Sequence, residues 1–275
     1  MIELPESRTL AGQINEIVKG KTILNVYANK SPHKFAWFRG DPGNYHNLLN
    51  GKIIEGAKAY GGMVEIKAEE MRLIFCDGTN IRYYQAGEEV PLKHQLQIEF
   101  DDFSNIVCSV QMYGGIWALN LDQTEGYCQI SEEKISVLSD DFNENYFNSL
   151  FTQMDNKLST KAFLATKQRI PGLGNGVLQD ILFNARLHPK RKMSSLSDEE
   201  LEAMYKSVKN TLFEMTARGG RDTEKDLYGC SGGYKTILSK KTKGLPCPIC
   251  QSEVIRESYL GGNIYFCPVC QSLEQ

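Results

Sequence analysis

Cys247-Pro248-Ile249-Cys250 and, after a sixteen-residue spacer, Cys267-Pro268-Val269-Cys270 form two C-x2-C pairs near the C-terminus. The spacing is that of a tetrahedral four-thiolate zinc site. Pro248 and Pro268 stiffen the two metal-pinching turns. Between the pairs, Val254-Ile255 and Tyr259-Leu260 through Ile264-Tyr265-Phe266 read as two short strands, and Gly261-Gly262-Asn263 supplies residues that tolerate the positive φ of a hairpin turn. Four cysteine ligands leave no open coordination position, so the zinc is expected to be structural. Two disulfides or four buried thiols would use the same residues. Disulfides are rare in the cytosol, however, and the N-terminus Met1-Ile2-Glu3-Leu4-Pro5-Glu6 has neither the basic nor the apolar region of a secretory signal. A cytoplasmic protein is expected.

Working outward, 275 residues suggest two domains, each long enough to bury a core. No apolar run approaches the roughly 18 residues of a membrane span. Charge is divided unevenly. Residues 1–150 carry 13 Lys and Arg against 21 Asp and Glu, a net of −8, whereas residues 151–275 carry 18 against 13, a net of +5. Blocks of opposite sign suggest that a polyanion meets the C-terminal half, although charge alone fits two ordinary surfaces better. Cys76, Cys108, Cys128 and Cys230 are scattered singly, as small packing residues are, and His33, His46, His94 and His188 form no triad or metal cluster.

Residues 9–19 place apolar groups at 10, 14, 17 and 18, one face of a helix capped by Ser7 or Thr9 and ended by Gly20. From residue 22 to about 119 the pattern turns to short apolar and alternating runs, 22–28, 53–57, 62–68, 71–76, 95–100, 106–111 and 116–119, separated by turns such as Asp77-Gly78. That reads as an antiparallel sandwich or barrel. Phe35-Ala36-Trp37-Phe38-Arg39 reads either as an exposed binding loop or as strand packing. Helical periodicity returns at 142–154, 160–168, 175–187 and 198–217. The last begins at Ser195-Leu196-Ser197-Asp198-Glu199-Glu200, hydroxyl caps followed by acids on the positive end of the helix dipole. Arg169-Ile170-Pro171-Gly172-Leu173-Gly174-Asn175-Gly176 departs from G-x-G-x-x-G and follows a helix, so it does not read as a dinucleotide site. It reads instead as a glycine-lined turn with backbone N–H groups free to meet a phosphate, or as a plain helical hairpin.

Glu3-Leu4-Pro5-Glu6, a β-rich first half, Lys161-Ala162-Phe163-Leu164, Pro171-Gly172-Leu173-Gly174-Asn175, Ile181 to Pro189 and a terminal four-cysteine finger occur in this order. Together they resemble the formamidopyrimidine-DNA glycosylase/endonuclease VIII family. The resemblance implies an α+β fold of two domains: an N-terminal antiparallel β-sandwich with a leading helix (1–125), a linker (126–141), a helical helix-two-turn-helix domain (142–228) and a zinc-finger β-hairpin (229–275). It implies a monomer that binds double-stranded DNA, removes an oxidised or ring-opened base, and nicks the abasic strand by β-elimination through a Schiff base. The other reading is a non-catalytic binder of abasic or distorted DNA.

The chemistry gives the N-terminus its weight. An α-amine titrates near 7.7–8.0 and lysine near about 10.4, so a useful fraction of the former is nucleophilic at neutral pH. Glu3 can shuttle protons if burial raises its pKa, and by resemblance Glu6 supports the site. The family's N-terminal proline aligns with Ile2. Because methionine is normally retained before a bulky residue, the amine is expected on Met1, one residue out of place. The family's strand lysine aligns with Gly62, with Lys58 nearby. Lys161 and Asn175 match its phosphate-binding positions, and its finger arginine aligns with Gly262 or Asn263. The residues that fill the gap left by a flipped base map to Gln85 and to Gln111-Met112-Tyr113, where Met112 or Tyr113 would serve as a wedge between base steps or as packing.

Overall fold

The computed structural model describes residues 1–123, 126–151 and 156–273. The leading helix α1 runs Leu4–Val18, starting five residues earlier than the apolar period suggests. Pro5 is tolerated there because the first helical N–H groups have no intrahelical partner. The cap is Glu3, whose N–H donates to Glu6 Oε2 at 3.2 Å, rather than Ser7 or Thr9.

Nine strands follow: β1 Ile23–Ala28, β2 Ala36–Arg39, β3 Ile54–Tyr60, β4 Met63–Ala68, β5 Met71–Phe75, β6 Thr79–Tyr84, β7 Leu96–Phe100, β8 Asn105–Val110 and β9 Gly114–Asn120, with the short helix α2 Tyr45–Leu49 after β2. They form two sheets, β1-β7-β8-β6 and β2-β9-β5-β4-β3, closed over one apolar core that includes Ile14, Val26, Phe75, Ile98, Phe100 and Ile116. The pairing is antiparallel except at one edge, where β2 runs parallel to β9 with Ala36 opposite Gly114. The run at 35–39 is thus largely an edge strand.

The expected linker holds a helix, α3 Gly126–Glu133. The helical domain follows with α4 Glu144–Ser149, α5 Thr160–Ala165, α6 Asn175–Asn184 and α7 Asp198–Ala217, each but α7 shorter than its apolar period. Part of the expected helix over 142–154 lies outside the described residues. α7 matches its sequence signals residue for residue: Ser197 Oγ accepts from Glu200 N, and the Glu200 carboxylate accepts from Ser197 N. The finger hairpin is β10 Ile255–Tyr259 and β11 Gly262–Phe266. Its two-residue turn is Leu260-Gly261, both at positive φ, one position earlier than the glycine run suggests.

The chain's first residues tie the two halves together. Ile2 belongs to the sandwich core and Leu4, two residues on, to the helical core. Leu4 N donates to Gly172 O at 3.0 Å and Ser7 Oγ to Gly61 O at 2.6 Å. The strand turn Gly61-Gly62 and the helical corner at Gly172 meet backbone to backbone. A Cβ at Gly172 would lie 2.4 Å from the Gly61 carbonyl carbon. Among the described residues, no helix is long and apolar enough to cross a membrane.

Candidate active site and nucleic-acid interface

Glu3 and Glu6 are both buried at the domain seam, and a guanidinium from the far end of the chain, Arg221, is buried between them. Arg221 forks onto Glu6 through Nε (2.9 Å) and Nη2 (2.8 Å), adds its backbone N–H at 3.0 Å, and places Nη1 3.2 Å from Glu3 Oε2. Nη2 also donates to the Met1 carbonyl at 3.4 Å. Glu3 completes its shell on α6, with Oε1 accepting from Gly176 N at 2.8 Å and Oε2 from Val177 N at 2.7 Å. Burial raises the Glu3 carboxyl above its usual range, and Arg221 opposes this without cancelling it. Burial also works to raise Glu6, but the forked guanidinium outweighs it and holds Glu6 below its usual range.

This shell corrects the reading of the glycine corner. The first N–H groups of α6 are not free for a phosphate; Glu3 occupies them. The glycines admit the carboxylate and its partner. A Cβ at Gly174 would lie 2.4 Å from Glu3 Oε1, and one at Gly176 would lie 1.6 Å from Arg221 Nη1. Both are distances no packing tolerates. Neither Arg221 nor its role has a signal in the sequence, where Gly219-Gly220-Arg221-Asp222 reads as a helix stop followed by a polar loop.

Ile2 and Met1 part company at this seam. Ile2 is 5% exposed, with its side chain in the sandwich core. Its carbonyl is where a Cβ on Gly62 would come to 3.1 Å, so any side chain at position 62 would crowd the Ile2 backbone. Lys58 points outward from β3. The Met1 α-amine pairs with the Glu224 carboxylate, and both residues line an open cavity of about 300 Å³ with Asn80, Arg82, Gln111 and Met112.

Tyr113 stacks on the exposed Trp37 at 5.9 Å and 26°, and its hydroxyl lies 3.5 Å from Asp77 Oδ2 and 3.7 Å from Met1 Sδ. Burial raises the Asp77 carboxyl above its usual range, with the Met1 ammonium opposing it. Gln111, Met112 and Tyr113 therefore border the N-terminus. Gln85 does not join them. β6 pairs with β8 so that Thr79 faces Val110 while Tyr84 faces Asn105, which puts Gln85 at the opposite end of the ladder. The residue that meets Tyr113 is Gly78, where a Cβ would lie 1.7 Å from its carbonyl oxygen.

The third group is the finger tip. Lys161 Nζ donates to Tyr259 O at 2.7 Å, Asn175 Nδ2 to Asn263 O at 3.0 Å, and Gln179 bridges Asn263 O (3.3 Å) and Tyr265 N (2.9 Å). Gly262 faces this cluster, and a Cβ there would lie 3.5 Å from Lys161 Nζ. Lys161 and Lys190 flank the Tyr259 ring at 5.9 and 5.6 Å. The positions matched to a phosphate grip thus converge in space, with a glycine where a longer side chain would reach. Gln179, Tyr259 and Lys190 had no sequence signal.

The four sulfurs of Cys247, Cys250, Cys267 and Cys270 lie within 4.8 Å of one another, with Cys247–Cys270 at 3.8 Å and Cys250–Cys267 at 3.3 Å. A tetrahedron with metal–sulfur bonds of about 2.3 Å has edges of about 3.8 Å. The four sulfurs fit a single ion, and the Cys247–Cys270 and Cys250–Cys267 separations are well beyond the roughly 2.0 Å of a disulfide bond.

Residues 135–226 match the family model of the formamidopyrimidine-DNA glycosylase H2TH domain. Over 98% of its length the chain is 25% identical to the whole of the formamidopyrimidine-DNA glycosylase of Cytobacillus firmus. Over 99% it is 28% identical to the whole of that of Wolbachia sp. subsp. Brugia malayi (strain TRS). Among solved structures, 98% of the chain superposes on 99% of Lactococcus lactis Fpg in complex with abasic-site DNA, with a TM-score of 0.83 and 22% identity. It also superposes on 98% of MutM (Fpg) from Thermus thermophilus, with a TM-score of 0.81 and 23% identity. The fold is shared along essentially the full length of each.

Proposed function

We propose that this chain is a base-excision-repair glycosylase of the formamidopyrimidine-DNA glycosylase family, acting on oxidised or ring-opened bases in double-stranded DNA, a reading supported by the match of residues 135–226 to that family's H2TH model and by the full-length likeness to its curated members. With it goes an abasic-site lyase step through a Schiff base on the Met1 α-amine. The observation that carries this reading is the amine's position. The amine contacts Glu224, and both Met1 and Glu224 line the roughly 300 Å³ cavity, large enough for an extruded base, while Ile2 and Leu4 anchor the same peptide in the two domain cores. Arg221, Glu6 and the start of α6 fix the residues that follow, which is the preorganisation a nucleophile needs. Zinc in the four-cysteine cluster holds the hairpin against Lys161 and Asn175, where a phosphate of the bent duplex would dock.

Borohydride trapping on a duplex with one abasic site tests the nucleophile. The expected result is a covalent adduct whose intact mass and N-terminal peptide place the DNA on the Met1 nitrogen. Tight duplex binding with neither adduct nor base release would refute the enzyme reading. A second measurement tests the grip. Lys161→Met is expected to weaken binding across sequences and to reduce the slope of log K against log salt by about 1. An unchanged slope would remove Lys161 from the phosphate contacts.

A further inference from the structure

A nucleophilic amine must lose a proton before it attacks, and Glu3 is poorly placed to receive it. Both its oxygens are taken by Gly176 N, Val177 N and Arg221, and it is 3% exposed. The carboxylate in contact with the amine is Glu224, on the loop that follows α7. That loop is held in place independently of the contact. Gln13 on α1 donates to Asp226 and accepts from Leu227 N, both at 2.9 Å, and Leu227 O accepts from Tyr83 N at 2.9 Å. Glu224 is also the sole carboxylate among the described residues lining the cavity at Met1.

From this geometry we propose that Glu224 is a catalytic residue, the proton acceptor and donor for the Met1 α-amine. The inference rests on the reading of Met1 as the nucleophile. Glu224 takes one proton from the ammonium. The freed nitrogen lone pair attacks C1′ of the ring-opened abasic aldehyde, and the carbonyl electron pair moves to oxygen. The nitrogen's second proton reaches that oxygen, giving a carbinolamine. Glu224 then returns its proton to the hydroxyl, water leaves, and the nitrogen lone pair closes the C=N⁺ bond. No oxidant or further reactant is required. Glu3, locked onto α6, keeps the peptide in register.

Several charges surround the pair. Arg82 faces it from β6, and Arg221, Lys225 and Asp226 belong to Glu224's own loop. Asp77 approaches the amine from the end of β5, and Glu3 and Glu6 from α1 lie behind Arg221. Asp77 is the nearest competitor, but one of its oxygens is directed at the Tyr113 hydroxyl and the other is buried without a partner among the described residues.

The test is single-turnover trapping on an abasic duplex from pH 6 to 9, comparing the full-length protein with its Glu224→Gln and Glu224→Asp variants. A lost proton acceptor is expected to slow trapping by Glu224→Gln roughly 100-fold at pH 7. The deficit should shrink toward pH 9, where hydroxide takes over the role of the lost acceptor, and Glu224→Asp should recover part of the rate. Duplex affinity and Tm should stay near wild type, because the pair sits at the surface. A carboxylate that merely held the ammonium protonated would give the opposite result, trapping by Glu224→Gln as fast as wild type or faster at pH 7, and that overturns the proposal. Equal pH profiles overturn it as well while leaving the nucleophile reading intact. A wild-type protein that forms no adduct at any pH, or forms one on another nitrogen, overturns both.

Discussion

Arg221→Met is expected to destabilise the folded protein by about 3–5 kcal/mol at pH 7 and to reduce adduct formation on abasic DNA by about 100-fold or more. The methionine roughly fills the volume but leaves Glu3 and Glu6 buried, facing each other across a space that held their shared cation. A buried carboxylate without its partner carries the whole desolvation cost, and here there are two. Catalysis suffers separately. Nη2 of Arg221 contacts the Met1 carbonyl, so the first residue loses a support next to its amine. Arg221→Lys keeps a positive charge but cannot fork onto Glu6 while also reaching Glu3, so it should recover only part of either loss.

The pH dependence gives this prediction a signature that simple cavity formation lacks. In the wild type, Glu6 is held below its usual range, so its contribution to stability is present above its unfolded pKa and is lost as pH falls through the folded value. Glu3 is raised, so its ionisation is a penalty that sets in as pH rises through the folded value. Without Arg221 both carboxyls are raised by burial, and both penalties grow with pH. The difference between wild type and variant should therefore be largest at pH 7 and shrink toward pH 4. Urea denaturation at several pH values measures it. A difference that does not change with pH would show that the triad contributes packing rather than charge. Glu6→Gln in the Arg221→Met background should restore part of the stability at neutral pH, since it removes one unpaired charge.

The parts of this molecule legible in the sequence are those whose signals are local. The cysteine spacing, the Ser197-x-x-Glu200 cap and the apolar period of α7 each sit within a few residues of what they specify, and α7 begins and ends where they place it. The strands with an apolar or alternating run could be found in the same way. β6, Thr79–Tyr84, could not, because it carries polar residues along its length, and β2, a four-residue edge strand whose parallel partner starts at Gly114, could be read only as one of two alternatives. The site was legible only in its acidic half. Glu3 and Glu6 stand out at the N-terminus, but their counter-ion and the partner of the amine lie more than 200 residues away in a loop that looks ordinary as sequence. The glycine corner misleads for a related reason. An unoccupied helix N-terminus and one already filled by a distant carboxylate require the same small residues. Gln85 shows the remaining limit: the order of loops along the chain does not say which end of a strand ladder a loop occupies.

Removing the metal from the finger should have the other large effect, and it should be confined to one end of the molecule. The finger's own core is small: Leu238, Val254 and the ligand cysteines packed against Phe183 of α6. So few buried groups do not offset the entropy of ordering some thirty residues, and a structural zinc site supplies about 10–16 kcal/mol in comparable finger peptides. Among the described residues, the sandwich core holds no finger residue and the helical core only Tyr234, so both should stay folded when the finger does not. A chelator strong enough to strip zinc, or Cys267→Ser, should leave most of the far-UV helical signal and abolish a separate melting transition. Duplex affinity should fall by 100-fold or more, because Tyr259, Gly262 and Asn263 leave Lys161, Asn175 and Gln179. Elemental analysis should find one zinc per chain before treatment and none after. A fully stripped protein that still bound abasic DNA at wild-type affinity would mean that the hairpin takes no part in holding the duplex. The assignment of Lys161 and Asn175 to the interface would then have to stand on α5 and α6 alone.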